Sequence, residues 1–270
     1  MNKKIGFIGG GNMGSAIIGG IISSDCADAS NILVYDKNAE AISRLNKIYG
    51  IKPDCTLLEV CQADILFLAV KPNIIYSVIN DIKGTINKDA VIISIAAGQS
   101  IEKLSKAFDI PDLKLVRVMP NTPALVGEGM SAVSLNGIMQ TEENKENVSD
   151  VIKILKSFGK AEIIPEKLMD TVTGVSGSSP AYIFMLIEAM ADAAVLGGMP
   201  RNQAYTFAAQ SVLGSAKMVL ELPNHPGELK DMVCSPGGTT IEAVKVLEND
   251  GFRSSIMNAI DACIKKSKSL

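Results

Sequence analysis

The pattern of hydrophobic positions alternates between two periodicities over about the first 164 residues. Short apolar runs predict strands, and the stretches between them show the spacing of helices, most clearly at residues 13–23 and 39–49. The predicted strands are residues 5–9, 32–36, 64–70, 90–96, 113–119 and 131–135. Runs such as DILFLAV and AVIISIA are apolar on both faces, which is typical of strands buried between helix layers. The alternation predicts right-handed βαβ units on a doubly wound parallel sheet.

The pattern becomes wholly helical after about residue 164. Ser179 and Pro180 combine a capping hydroxyl with a proline in the first turn, which predicts the start of a helix. Further helices are predicted at residues 200–220, 239–250 and 252–266. We therefore predict two domains, an α/β domain at residues 1–164 and an all-helical domain at residues 165–270.

The helix predicted at residues 181–196 is apolar on nearly every side. Such a helix has to be covered all round, and a domain of roughly a hundred residues does not easily do this alone. We therefore expect a second copy of the chain to cover it, which makes the C-terminal domain a dimerisation domain. A central helix wrapped by its own domain is the alternative.

A glycine-rich turn follows the first predicted strand and opens the first predicted helix. It has the spacing G-x-G-x-x-G, with Gly9, Gly11 and Gly14 at the glycine positions and Asn12 and Met13 between them. The first glycine allows a tight turn, the second lets a pyrophosphate approach the backbone, and the third allows helix and strand to pack closely. The N–H groups of the first helical turn would bind the phosphates. The α/β domain is therefore predicted to be a Rossmann-type domain that binds NADPH or NADH.

Asp36 ends the second predicted strand and is a candidate contact for the cofactor. A carboxylate at this position accepts hydrogen bonds from the adenosine ribose of NAD and repels the 2′-phosphate of NADP. Lys37 follows it in sequence and would offset part of that repulsion. The residues at this end therefore allow either cofactor.

Three further segments lie at or just beyond the carboxyl ends of predicted strands, at the edge where open parallel sheets bind their ligands. Lys71 would reach a phosphate or a ribose of the cofactor, and Asn121 is a candidate partner for the nicotinamide edge. The candidate cofactor-binding residues in these segments are Ala69, Val70, Lys71 and Pro72, then Ala96, Ala97 and Gly98, and finally Asn121.

A second candidate site lies at the start of the helix predicted from residue 239. The segment CSPGGTTI combines glycines, hydroxyls and a helix start, so free N–H groups, the helix dipole and hydroxyl donors converge there. It lacks the length and the lysine of a P-loop, which favours a small carboxylate over a nucleotide phosphate. A capped helix without a ligand is the alternative. The candidate substrate-binding residues are Ser235, Gly237, Gly238, Thr239 and Thr240.

Composition argues against several classes of function. The net charge is −3 and no basic stripe is present, so nucleic acid is not an expected partner. No uncharged apolar run of roughly 18 residues predicts a membrane span, and the five scattered cysteines favour reduced thiols in the cytoplasm. His225 is the only histidine, so a histidine-based metal site or a Ser-His-Asp triad is not expected. Reduction of a C=N bond fits better, because a protonated imine needs positioning more than a general base.

Several motifs are shared with known enzymes. GFIGGGNMG occurs in many β-hydroxyacid-type dehydrogenases, whereas FLAVKP, SIAAG and MPNTPA narrow the choice. VSGSSPAY and ELKDMVCSPGGTTIEAVKVLE are highly specific. On these motifs the chain resembles the pyrroline-5-carboxylate reductase family from residue 4 to about residue 266. The resemblance implies hydride transfer from NAD(P)H to C5 of 1-pyrroline-5-carboxylate, which gives L-proline in the last step of proline biosynthesis.

The resemblance also implies roles for individual residues. Thr240 would lie beside the ring nitrogen of the substrate, and Glu166 would lie near the same nitrogen through water. The loops after strands 64–70 and 90–96 would contact the nicotinamide half of the cofactor. A homodimer with interlocked C-terminal helices is implied, and rings of dimers occur in the family. Asp36 departs from the family pattern, which more often has a small polar residue there, so a strict preference for NADPH is not expected.

Two other functions stay open at this point. A β-hydroxyacid-type dehydrogenase would need a base at the start of the second domain, where Lys167 is the nearby candidate. A non-catalytic dinucleotide-sensing dimer would use the helical domain as a dimerisation surface. Such a sensor has no need of the second anion site at residues 235–240.

Overall fold

The structure is a computed structural model that describes residues 1–269, and it contains two compact units. The first comprises residues 1–178 together with the end of the chain from residue 263, and the second comprises residues 179–262. The first unit holds a seven-stranded, mainly parallel sheet, and the second is all helical. The predicted fold class, a Rossmann-type sheet domain followed by an all-α domain, is confirmed. The domain boundary between residues 164 and 165 stays a prediction.

The sheet has seven strands, β1 (Ile5–Ile8), β2 (Ile32–Tyr35), β3 (Ile65–Leu68), β4 (Val91–Ser94), β5 (Lys114–Met119), β6 (Gly129–Leu135) and β7 (Gly159–Ile163). All the predicted strands are present, and most are a residue or more shorter than predicted. Strands β1 to β5 pair in parallel. The strands lie in the sheet in the order β2-β1-β3-β4-β5-β6-β7.

The sheet is not parallel throughout, which corrects the prediction. β5 and β6 pair in antiparallel, with Val116 opposite Leu135. A single short turn, Thr122–Val126, connects them, whereas a parallel neighbour needs a crossover of a dozen or more residues. β6 and β7 are again parallel, with a helix, Lys145–Lys156, between them in the chain.

The described helices confirm the predicted change from alternating strands and helices to helices alone in the C-terminal part of the chain. A π-helix, Thr173–Gly177, follows α7. The helix bounds are α1 (Asn12–Ser23), α2 (Ala39–Tyr49), α3 (Leu57–Cys61), α4 (Ile75–Ile82), α5 (Ile101–Phe108), α6 (Lys145–Lys156), α7 (Met169–Val172), α8 (Ser179–Leu196), α9 (Arg201–Glu221), α10 (Pro226–Val233), α11 (Thr239–Asn249) and α12 (Phe252–Lys268).

Helix α10 is absent from the helices predicted from the sequence. Its N-cap is His225, whose Nδ1 accepts the Gly227 N–H at 3.0 Å. The Glu228 carboxylate accepts the His225 N–H at 3.3 Å and completes a capping box. Histidine is not among the strongly preferred N-cap residues, so the usual N-cap signal is missing here, although Pro226 and Glu228 in the first turn are typical of a helix start.

The hydrophobic core of the first unit lies on both faces of the sheet. Phe67 of β3 stacks on Phe7 of β1 with ring centroids 4.7 Å apart, in a cluster that includes Ile17 of α1. The neighbouring Leu66 belongs to the cluster on the other face, together with Ile79 of α4. Burial on both faces explains why the strands read as continuous apolar runs.

The second unit buries few side chains within one chain. Large hydrophobic residues on its helices are exposed, including Phe184, Met185 and Phe207. By length and composition alone, the helical stretch Glu166–Leu196 would be able to cross a membrane, and almost none of it is buried within the chain. The apolar surface of α8 is therefore not covered by the rest of its own unit.

Candidate functional site

The glycine-rich turn between β1 and α1 has the geometry of a phosphate-binding loop. Gly9 has φ = +109°, and a Cβ there would lie 2.4 Å from the Ala69 carbonyl oxygen. A Cβ on Gly14 would lie 2.4 Å from the Gly9 carbonyl oxygen, so α1 packs closely on the turn. Gly11 is the N-cap of α1, and no heavy atom lies within 4 Å of the place a Cβ would take. The first N–H groups of α1 are therefore open to an anion. The first residues of that helix are Asn12 and Met13.

Asp36 follows β2, and its carboxylate is bonded to the glycine-rich turn. Oδ2 accepts the Gly10 N–H at 2.7 Å, and Oδ1 accepts the Asn38 N–H at 2.8 Å. An ionised carboxylate offers about four lone-pair sites, so both oxygens can still accept a ribose hydroxyl. Lys37 is exposed beside it. The Asp36 carboxylate therefore fixes the turn, and its contact with the ribose stays a prediction.

Arg44 is a further cation at this end of the sheet and is absent from the residues predicted from the sequence. It lies on α2, and its Nη2 is 3.5 Å from the Gly10 carbonyl oxygen. A guanidinium binds phosphate groups well because it presents several donors in one plane. The sequence signal that would have found it is a cation in the helix that follows the Asp36 position.

The loops after β3 and β4 lie side by side, because these strands are neighbours and Leu68 pairs with Ser94. Gly98 has φ = +73° and turns the second loop. The structure thus brings together two of the predicted cofactor segments at the carboxyl edge of the sheet. Lys71 is exposed, Ala96 is buried, and the half-buried residues are Ala69, Val70, Pro72, Ala97 and Gly98.

Asn121 is buried, and both ends of its amide are bonded to the backbone. Its Nδ2 donates to the Ser176 carbonyl oxygen at 3.0 Å, and its Oδ1 accepts the Met130 N–H at 2.8 Å. One donor and one acceptor site of the amide remain for a ligand. The contact with the nicotinamide stays a prediction, while the observed bonds attach Asn121 to the segment before α8.

Residues 166–178 lead into α8 and are called the linking segment below. They include α7 and the π-helix, an element that often occurs at functional sites. The end of α12 is bonded to this segment, because Ser267 Oγ donates to Asp170 Oδ1 at 2.7 Å and Cys263 Sγ lies 3.2 Å from Ser178 Oγ. No periodicity in the sequence distinguishes a π-helix from an α-helix, so this feature is visible in the structure alone.

Glu166 begins the linking segment, and one of its carboxylate oxygens is bonded to two groups. Oε1 accepts a hydrogen bond from Arg117 Nη1 at 2.9 Å and another from the Ile101 N–H at 2.7 Å. Arg117 lies on β5 and is buried. A contact of Glu166 with the substrate nitrogen stays a prediction, and Oε2 is the oxygen left for it.

The segment between α10 and α11 forms a tight turn in the second unit. The Gly238 N–H donates to the Ser235 carbonyl oxygen at 3.0 Å, and Gly237 has φ = +67°. A Cβ on Gly238 would lie 2.5 Å from Ser235 Oγ. Because Gly238 is the N-cap of α11, no N-cap side chain occupies the first N–H groups of this helix. Thr239 is exposed and Thr240 is half-buried, so N–H groups and hydroxyls that suit a carboxylate lie together here.

Comparison with known proteins gives matches over both parts of the chain. Residues 166–270 match the family described as pyrroline-5-carboxylate reductase dimerisation, and residues 4–98 match the family described as NADP oxidoreductase coenzyme F420-dependent. The pyrroline-5-carboxylate reductase of Escherichia coli (strain K12) is 54% identical over 100% of this chain and 99% of the relative. That of Methanosarcina acetivorans is 44% identical over 100% of this chain and 98% of the relative. The crystal structure of Plasmodium falciparum pyrroline carboxylate reductase with NADP bound superposes with a TM-score of 0.87 at 35% identity, over 99% of this chain and 98% of that chain.

Proposed function

This chain belongs to the pyrroline-5-carboxylate reductase family, and we propose on this premise that it reduces the C=N bond of 1-pyrroline-5-carboxylate to L-proline with NADPH or NADH. The observation that carries the proposal is the 54% identity to the Escherichia coli enzyme over the whole chain. The turn geometry in each unit supports it, because one turn suits a dinucleotide and the other suits a small carboxylate. The reaction is the last step of proline biosynthesis.

The residues of the first unit fit a nicotinamide dinucleotide. Gly11 leaves the N–H groups of α1 open to the pyrophosphate, and no side chain fills that space. We assign Asp36, Lys37 and Arg44 to the adenosine end. When bound, the cofactor supplies a hydride for C5 of the imine. The residues assigned to its nicotinamide half are Ala69, Val70, Lys71, Pro72, Ala96, Ala97, Gly98 and Asn121.

The turn at residues 235–240 holds the substrate in this proposal. The first N–H groups of α11 and the Ser235 hydroxyl bind the carboxylate, and Thr240 donates a hydrogen bond to the ring nitrogen. A fixed ring nitrogen fixes C5, and positioning of this kind lowers a barrier by several kcal/mol. Glu166 would contact the same nitrogen through water, with Oε2.

We further infer a homodimer whose interface is formed by the helices of the second unit. The match of residues 166–270 to a dimerisation family supports a homo-oligomer, and the exposed apolar side chains of α8 and α9 support these helices as the interface. A partner chain would then cover the apolar stretch Glu166–Leu196. Rings of such dimers occur in the family and are the larger assembly that this interface would allow.

We place the functional boundary between residues 164 and 165 and the enzyme in the cytoplasm. The boundary is supported by the dimerisation match, which begins at residue 166. The location is supported by the cysteines, all five of which are free thiols and therefore suit a reducing compartment.

The test is oxidation of NADPH and of NADH by the purified protein, with and without 1-pyrroline-5-carboxylate. We expect oxidation that depends on the imine and yields proline in equal amount. Oxidation no faster than without the imine, for both cofactors, would refute the proposed function.

A further inference from the structure

Arg117 is a buried cation in the interior of the sheet. It lies on β5, opposite Ser94 of β4 and Ser134 of β6, and its side chain is 10% exposed. A buried charge without a partner is strongly destabilising. The partner here is Glu166, whose Oε1 lies 2.9 Å from Arg117 Nη1. The ion pair thus joins the sheet to the first residue of the linking segment.

The oxygen that pairs with Arg117 also holds the start of α5. Ile101 is the first residue of that helix, and its N–H donates to Glu166 Oε1 at 2.7 Å. The N-cap, Ser100, accepts the Lys103 N–H at 3.2 Å. The start of α5 therefore has one local acceptor and one from a residue 65 positions away. A carboxylate suits this place because the N-terminus of a helix carries a partial positive charge.

Residues 95–100, called the β4–α5 loop, are held at both ends. At the β4 end, Ser94 Oγ accepts the Ala96 N–H at 3.4 Å. At the α5 end, Glu166 holds the helix start that the loop enters. Gly98 turns the loop between these points, and the loop lies at the carboxyl edge of the parallel strands, where such sheets bind ligands.

We propose that Glu166 is a positioning residue for the cofactor, because its carboxylate, neutralised by Arg117, holds the start of α5 and so keeps the β4–α5 loop in the shape that binds NAD(P)H. The inference rests on the proposed function, which assigns this loop to the nicotinamide half. In this role Glu166 acts through the Ile101 N–H and touches no reacting atom. The role is separate from the contact with the substrate nitrogen, which would use the other carboxylate oxygen.

The test compares two double variants, Arg117→Met/Glu166→Gln and Arg117→Met/Glu166→Met. Neither has a buried charge, and glutamine and methionine are similar in size, but glutamine has an amide oxygen that accepts the Ile101 N–H, whereas the methionine sulfur is only a weak acceptor. The Kd of NADPH is measured from nicotinamide fluorescence without substrate, and the Tm of each variant is measured beside it. We expect a Kd about tenfold higher for the methionine variant than for the glutamine variant, which should stay near the wild-type value.

Equal Kd values for the two variants would overturn the proposal, even if the methionine variant had the lower Tm, because that is the result of a purely structural bond. If the double variants do not fold, Glu166→Gln and Glu166→Met are compared by the same Kd measurement in the wild-type background, where Arg117 lacks an anionic partner in both, and equal Kd values would again overturn the proposal. Failure of the wild type to reduce 1-pyrroline-5-carboxylate would refute the proposed function, and it is distinguishable because NADPH binding is measured without that substrate.

Discussion

The two units of the chain differ in where their large hydrophobic side chains lie. In the first unit both core clusters close within one chain, and the phenylalanines of β1, β3 and α5 are fully buried. In the second unit the buried hydrophobic residues are three alanines and Leu229, while Phe184 and Phe207 are 59% and 66% exposed. Large hydrophobic side chains therefore form a core within one chain in the first unit. In the second unit they form an exposed surface that we expect a second chain to cover.

The largest effect that would test this difference is expected from a charge on α8. Phe184 and Ile48 are both 59% exposed in one chain, the first on α8 and the second on α2. Phe184→Lys should prevent dimerisation and abolish activity, because the dimer would bury an unpaired charge at a cost of several kcal/mol. Ala189→Lys, on the same helix, should also prevent dimerisation and abolish activity. Ile48→Lys should change neither property.

The size of each variant is measured by analytical ultracentrifugation, and turnover is measured with 1-pyrroline-5-carboxylate. Phe184 and Ile48 are equally exposed within one chain, so a difference between their lysine variants cannot come from burial within that chain. A Phe184→Lys protein that remains dimeric and fully active would show that the exposed face of α8 is not the interface.

The next largest effect is expected from Thr240→Ala in the second unit. Loss of one donor to the reacting nitrogen should lower kcat by about ten- to a thousandfold. The variant should remain a dimer, because the change is small and lies at the start of α11. Thr240→Ser keeps the hydroxyl and is the matched control, with kcat expected near that of the wild type. Wild-type turnover by the alanine variant would remove Thr240 from the mechanism.

A smaller effect is expected at the adenosine end of the first unit. Asp36→Ser should move the ratio of kcat/KM by about tenfold towards NADPH, since a carboxylate repels the 2′-phosphate. The change should come mainly from KM, because the ribose is remote from the hydride. Arg44→Ala should move the ratio the other way, and both variants should remain dimers.

Both cofactors are measured on all three proteins at one ionic strength, because salt screens exposed charges. If the ratio does not change in Asp36→Ser, the carboxylate serves only the turn, through its bonds to Gly10 and Asn38.

The smallest effect is expected from a thiol in the core of the first unit. Burial raises the pKa of the Cys61 thiol, whereas an unfolded thiol has a pKa of about 8.5. The thiol therefore keeps its proton to a higher pH in the folded state than in the unfolded state. The stabilisation linked to this proton is complete below the pKa of the unfolded thiol, and it declines as the pH rises through the raised pKa of the folded state. The free energy of unfolding of the wild type minus that of Cys61→Ala should be smaller at high pH than at neutral pH. Urea unfolding measures both proteins, and a difference that grows with pH would contradict the assignment.

Much of the first unit could be predicted because its signals are local. A strand buried on both faces is visible as an apolar run, and the G-x-G-x-x-G spacing lies within six residues. β5 is a weaker run because it contains Arg117, and the partner of that cation lies 49 positions away. An ion pair between residues so far apart cannot be found from a short window of sequence. Neither the pairing of Arg117 with Glu166 nor the hydrogen bond from Ile101 to Glu166 was therefore predictable.

The second unit shows where helical patterns are informative and where they stop. The bounds of α8 follow from Ser179 and the glycines after Leu196, whereas α10 is capped by a histidine and lacks one of the usual N-cap residues. The apolar surface of α8 was predictable. The sequence pattern shows that this helix must be buried on every side, but it does not show which residues or which chain it packs against.

The proposed reaction depends on one step, the transfer of a hydride from the nicotinamide to C5 of the imine. The most direct measurement uses NADPH carrying deuterium at both C4 positions, 1-pyrroline-5-carboxylate and the purified protein, with the product examined by NMR. Direct hydride transfer predicts proline that carries one deuterium at C5 and none at other carbons. Unlabelled proline, or no proline, would contradict it.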